Sequence, residues 1–278
     1  MSEPTSHKKL LFHPGSRRRG IYILPSLFTT AALFSGFFAI VQAMQGNFEQ
    51  AAIAIFVAMV MDGLDGRVAR LTNTQSAFGA EYDSLADMVS FGVAPALVMY
   101  SWALSGLGRI GWLAAFVYCA GAALRLARFN VNLEVMDKRY FQGLPSPAAA
   151  AFIVGMVWLS QEMGVVVEEM RWIPWLAAFF TVLIGITMVS NVLFYSFKDI
   201  NVKKRVPFMT LVALVLAFVL VPIINTAGFL FAVALLYLFS GYLLAVMRFF
   251  SRKNRVSKAA LLAPPDDSAD NDYPADDK

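Results

Sequence analysis

Long apolar blocks, separated by short polar and basic segments, fill the chain between about residues 20 and 250. A bilayer core of roughly 30 Å is crossed by about 20 apolar residues in a helix. Eight stretches come near that length: about 26–44, 50–66, 84–104, 109–127, 147–163, 173–195, 206–222 and 228–248. The second and third are the least uniform, because carboxylates interrupt them. The pattern predicts an all-α, polytopic membrane bundle of about eight transmembrane helices. It divides the chain into a basic tail over 1–20, one membrane domain over 21–250 and a basic, then acidic, tail over 251–278. Ala263–Lys278 carries six Asp and three Pro with little apolar bulk, a composition that cannot bury a core and predicts disorder. Lys8, Lys9, Arg17, Arg18 and Arg19 precede no short apolar core or small-residue cleavage site before residue 20, so no cleaved signal peptide is expected.

With eight spans both termini share one side, and the basic residues say which. Lys and Arg flanking membrane spans favour the cytoplasmic face. The five N-tail residues, Arg67 and Arg70, Arg125, Arg128, Lys138 and Arg139, Lys198, Lys203, Lys204 and Arg205, and six in the C-tail all fall on one side. That is 21 of the 23 Lys and Arg, leaving Arg109 and Arg171 opposite. Both termini are expected to be cytoplasmic, in a protein of the inner (cell) membrane.

Composition adds exclusions. At 58% hydrophobic and 15% charged, with a mean hydropathy of +0.61, the chain departs from soluble domains, which are about half apolar and one quarter charged. His7 and His13 both lie in the N-tail, so a histidine-based metal site or a Ser-His-Asp triad is not available inside the fold. Cys119 has no partner for a disulfide. The net charge of +4 needs no nucleic acid, because basic residues beside a membrane pair with anionic head groups at about 1 kcal/mol each.

The chemistry must then run on carboxylates and Arg. Asp62, Asp65, Asp83 and Asp87 interrupt two otherwise apolar helices. An ionised Asp near a bilayer centre costs about 2.5–3.5 kcal/mol, and less near the interface. Asp62 and Asp65 are three apart, Asp83 and Asp87 four apart, so each pair shares a helix face. A short polar segment joins the two helices, making them antiparallel neighbours whose four carboxylates converge at one membrane surface. Four like charges so close call for a counter-charge, and Arg67 and Arg70 cannot balance them. Hard divalent cations bind such oxygen sets, and Mg²⁺ is typically held by a few carboxylates plus substrate phosphate. Two ions could hold the two oxygens of a phosphoryl displacement. Gly66, Ala69 and Gly79 leave strips poor in side chains beside the acids, which either admit a flat group to the backbone or serve tight helix packing. Arg125 and Arg128 share a face at the cytoplasmic end of the fourth span, suited to bidentate contact with a phosphate or carboxylate or to plain interfacial anchoring. Asn130 adds a neutral donor and acceptor beside them. Pro145 and Pro147 mark a rigid helix entry.

The pattern Asp62-x-x-Asp65-Gly66-x-x-Ala69-Arg70, then eight residues to Gly79, three to Asp83 and three to Asp87, resembles the signature of the CDP-alcohol phosphatidyltransferases. Segments 24–37, 123–131, 141–150 and 188–198 further resemble the eight-span, integral-membrane branch of that family whose acceptor is serine. Ser26 and Ala32 stand where many relatives carry Asn. The resemblance implies transfer of a phosphatidyl group from CDP-diacylglycerol to the hydroxyl of L-serine, giving phosphatidylserine and CMP. It implies Asp62, Asp65 and Asp83 as ligands of Mg²⁺ or Mn²⁺, two ions in all, and Asp87 as both general base and ligand. It implies a CDP pocket of Gly66, Ala69, Arg70 and Gly79, with Ser76 and Thr29 as further contacts, and an acceptor or phosphate subsite of Arg125, Arg128 and Asn130. A homodimer embedded in membrane lipid is expected on the same ground. Glycerol 3-phosphate or an inositol phosphate are alternative acceptors for the same reaction class. A cation transporter is the alternative of another class. It is disfavoured because the carboxylates cluster at one surface and no internal repeat appears, whereas transporter sites sit near the midplane.

Overall fold

The structure, a computed structural model, describes residues 23–131, 140–195 and 225–261. The expected span at 206–222, the N-terminal tail, Ala263–Lys278, and Lys138, Arg139, Lys198, Lys203, Lys204 and Arg205 lie outside these residues.

Helix α1 (Ile23–Met44) and α2 (Phe48–Leu71) form an antiparallel pair. Gly46 turns the chain between them at φ +79, a conformation that costs glycine little. Their interface is lined with alanines: Ala39, Ala43, Ala51, Ala52 and Ala58 are all buried. Small side chains let helix backbones approach closely where lipid supplies no hydrophobic drive. After α2, Asn73 adopts φ +52, and Ser76 caps α3 (Ala77–Asp87) by accepting the Gly79 N–H at 3.0 Å. The chain continues through a π-helical turn (Met88–Val93), α4 (Ala94–Met99), a second π-helical turn (Tyr100–Leu104) and a 3₁₀ turn (Ser105–Leu107). Together these make one apolar run from Ala77 to Leu107. The first π turn has its own clamps. Tyr118 donates to the Phe91 carbonyl at 2.9 Å, and Ser90 donates to that of Ala32 at 3.0 Å.

Gly108, at φ +56, reverses the chain into α5 (Arg109–Val131). A short strand β1 (Tyr140–Gln142), α6 (Ser146–Glu162), a 3₁₀ turn (Val167–Glu169), α7 (Ile173–Val189), strand β2 (Leu193–Tyr195) and α8 (Thr226–Leu261) follow. Helices α5 and α7 cross at Gly121 and Gly185, where a Cβ on Gly121 would collide with the Gly185 carbonyl.

The helical expectation holds, with one correction. The apolar stretch expected as a span over 173–195 is helical only to Val189. Ser190 turns to ψ 161, and β2 pairs antiparallel with β1, Phe194 opposite Phe141. The Gly143 N–H bonds the Val192 carbonyl at 2.8 Å and the Leu144 N–H that of Thr187 at 3.3 Å, so these backbone groups are paired outside a helix. Helix α8 runs to Leu261, past the boundary placed at 250. Among the described residues, four helices are long and apolar enough to cross a membrane: Ser26–Met44, Ala77–Leu107, Arg109–Val131 and Thr226–Leu243, with Ile173–Val189 a shorter apolar helix.

Candidate active site

One end of the bundle gathers the start of α1, the end of α2, the starts of α3 and α6, and the ends of α5 and α7. Side-chain bonds tie these ends together. Two adjacent threonines of α1 reach two different helices. Thr29 donates to Asp65 Oδ2 of α2 at 2.7 Å, and Thr30 Oγ1 lies 2.9 Å from the Tyr82 hydroxyl of α3. Ser84 of α3 and Asn130 of α5 bond each other, with Asn130 Nδ2 to Ser84 Oγ at 3.1 Å. Arg125 donates to Ser146 Oγ at 2.5 Å. Arg128 donates to the Val189 carbonyl at 2.9 Å and to Asn191 Oδ1 at 3.3 Å.

The four predicted carboxylates sit inside this ring. Carboxylate oxygens of Asp62, Asp83 and Asp87 all lie within 4.8 Å of one another. Asp65 stands beside them, meeting the Asp83 carboxyl, while Asp62 meets that of Asp87. Asp65 is buried at 5% exposure; the other three are half-buried. The convergence follows from local structure. Helical spacing stacks each pair; the expected direct pairing of the two acid-bearing helices is not seen, because after the Thr72–Ser76 turn α3 packs on α1, and across that packing its acids meet those of α2.

The donor set tests what could bind. Every group is a carboxylate oxygen, the ligand type of hard cations such as Mg²⁺ and Mn²⁺. Oxygens holding one Mg²⁺ at about 2.1 Å stand at most about 4.2 Å apart, so a small side-chain rotation closes the observed group. The residues fit a divalent ion.

The glycine strip is open. A Cβ on Gly66 would meet nothing within 4 Å, and one on Gly79 would meet only Ser76 Oγ at 3.1 Å. Tight helix packing therefore explains neither, and both leave backbone accessible beside the acids. Arg70 folds back along α2, its Nε donating to the Gly66 carbonyl at 2.9 Å. Ala69 is half-buried on the same helix. Ser76, expected at a phosphate, is the cap of α3. Thr29, expected at the nucleotide, holds Asp65. Asn130, expected at the acceptor, is tied to Ser84. Arg125 lies within electrostatic range of both Asp87 and Asp62, whereas Arg128 grips the end of α7. The two arginines thus do different work although they share a helix face.

Sequence reasoning passed over Ser146 and Ser84. Ser146 is fully buried and accepts from Arg125. Its place between Pro145 and Pro147, where a helix must begin, was the available signal, because backbone fixed on both sides can aim one side chain.

One end of the bundle thus brings together clustered acids, an open glycine strip and the half-buried Arg125. A family model for CDP-alcohol phosphatidyltransferase matches residues 22–183, and the chain belongs to that family. Among curated relatives, a CDP-diacylglycerol–serine O-phosphatidyltransferase of Helicobacter pylori (strain ATCC 700392 / 26695) is 39% identical over 199 residues, 72% of this chain and 83% of the relative. Proteins of the same name from Mycobacterium leprae (strain TN) and Saccharomyces cerevisiae (strain ATCC 204508 / S288c) are each 41% identical. They align over 157 and 139 residues, covering 54% and 45% of this chain and 52% and 50% of the relatives.

Proposed function

We propose that the protein transfers the phosphatidyl group of CDP-diacylglycerol to the hydroxyl of L-serine, producing phosphatidylserine and CMP. The observation that carries this reading is the placement of Asp62, Asp83 and Asp87 within 4.8 Å of one another, on the family's motif, in a chain 39% identical to a relative named CDP-diacylglycerol–serine O-phosphatidyltransferase.

Each group has a role. Asp62, Asp83 and Asp87, with Asp65 beside them, would hold one or two Mg²⁺ or Mn²⁺ ions. A bound divalent ion offsets the charge of the diphosphate. The open backbone at Gly66 and Gly79, with Ala69 and Arg70, admits the cytidine and diphosphate. Arg125, held by Ser146, faces the carboxylate of serine. Asp87 takes the proton of the serine hydroxyl, because an unaided alcohol is a poor nucleophile at neutral pH and a positioned base contributes about 10²–10⁴-fold. The serine oxygen bonds to the phosphorus bearing the diacylglycerol. The bond from that phosphorus to the CMP oxygen breaks, and CMP leaves with the electron pair.

The membrane frame belongs to the same proposal. Eight spans, both termini in the cytoplasm and the site at the cytoplasmic face of the inner membrane accord with the 21 of 23 basic residues on one side. A homodimer is proposed from the family resemblance.

The test is product identification. Purified protein in lipid micelles receives CDP-diacylglycerol, Mn²⁺ and either labelled serine or labelled glycerol 3-phosphate. Phosphatidylserine and CMP are expected from serine alone, with no product after chelation and a rate lowered about 10²–10⁴-fold in Asp87→Asn. Product from glycerol 3-phosphate instead would replace the acceptor, and full activity in Asp87→Asn would remove the base.

A further inference from the structure

Asp65 differs from its three companions. It lies outside the group that closes within 4.8 Å, it is buried to 5% exposure, and its Oδ2 receives the hydroxyl of Thr29, itself 5% exposed, at 2.7 Å. The two residues are 36 positions apart and belong to different helices, so the bond is a tertiary contact. A buried carboxylate left without partners is costly, and one with free χ2 rotation presents no fixed lone pair.

The geometry points to Thr29 as the positioning residue of the cation site. Its hydroxyl donates to Oδ2 of Asp65, and together with the Gly66 backbone and the Asp83 carboxyl, which Asp65 also meets, it restrains that carboxylate beside the other acids. Groups that orient ligands from behind are worth about 10–100-fold in metal affinity. Mg²⁺ is the most demanding case, because its octahedral geometry tolerates little ligand displacement. Thr30 beside it bonds Tyr82, which keeps α1 in register against α3 while Thr29 works on α2.

This inference rests on the metal-dependent reading above, and the experiment separates the two. Mn²⁺ binding to the purified full chain is measured by electron paramagnetic resonance without any substrate, in wild type, Thr29→Val, Thr29→Ala and Thr29→Ser. The expected result is affinity weakened about 10–100-fold in the Val and Ala variants and close to wild type in Ser. The Mn²⁺ concentration giving half-maximal activity should rise by the same factor, with the rate restored at saturating Mn²⁺. Unchanged affinity in Val and Ala overturns the inference, as does equal weakening in Ser, which would mark a packing role. Two comparisons guard against a Val variant that fails to fold. Ala removes the hydroxyl without adding bulk, and Ser removes only the methyl. If wild type binds no Mn²⁺ and matches Asp65→Asn, the metal-dependent reading itself fails, and the inference with it.

Discussion

Arg125 is a cation placed about three-quarters of the way along an apolar helix, and its surroundings explain how it is tolerated. It donates to the fully buried Ser146 and lies near Asp87 and Asp62. A hydrogen bond to a charged group is worth about 1.5–3 kcal/mol. Ser146→Ala removes that partner but no charge, so Arg125 should lose its support in the role proposed for it at the acceptor. The KM for serine is expected to rise roughly 10- to 100-fold, with the KM for CDP-diacylglycerol unchanged. Steady-state kinetics varying each substrate in turn checks this, and equal rises in both constants would refute it. This residue also shows a limit of sequence reading. Arg125 and Arg128 are equivalent by spacing, yet one faces the acids and the other caps α7 through the Val189 carbonyl. Only the neighbouring helices distinguish them.

At the scale of elements, close backbone approach does what bulky apolar side chains do in soluble cores. A Cβ on Gly185 would stand 2.9 Å from the Tyr118 Cα, and one on Gly121 would collide with Gly185. This crossing sets how far apart α5 and α7 stand, and hence where Arg128 meets the end of α7. Gly185→Leu must separate the two backbones. Overpacking of this kind typically costs about 1–3 kcal/mol. A lowered midpoint of thermal unfolding in detergent is expected, while Gly63→Leu, with nothing within 4 Å of its Cβ, should leave the midpoint near wild type. The π-helical turn after Asp87 is a second device at this scale. It leaves the Phe91 carbonyl available to the Tyr118 hydroxyl, joining the helix that carries two of the acids to the one that carries Arg125. No hydropathy pattern announces such a turn, because it follows from a hydrogen-bond register rather than from residue type.

For the whole molecule, the decisive feature is that, among the described residues, one end of the bundle collects the four acids, the open glycines and Arg125. The hairpin turns alternate ends, so the exposed Gln75, between α2 and α3, lies at the site end and the exposed Gln45, between α1 and α2, at the other. In a Cys119→Ala background, Gln75→Cys is expected to react with an impermeant maleimide only from the cytoplasmic side of oriented membrane vesicles. Gln45→Cys should react only from the opposite side. The reverse labelling, or labelling of both from one side, would overturn the proposed topology.

The amino-acid sequence alone determined the helical membrane class, the four acids and their facing pairs, because both rest on short-range arithmetic. A bilayer demands runs of apolar residues, and a helix of 3.6 residues per turn puts positions three and four apart on one face. Tertiary structure decided the rest. It drew Asp62, Asp83 and Asp87 together with Asp65 beside them, and it brought Thr29 to a carboxylate 36 residues away. It turned Ser76 into a helix cap and ended the 173–195 stretch in a strand. These outcomes depend on which side chain lies within about 3 Å of which across different helices, and spacing along one chain carries no record of that distance.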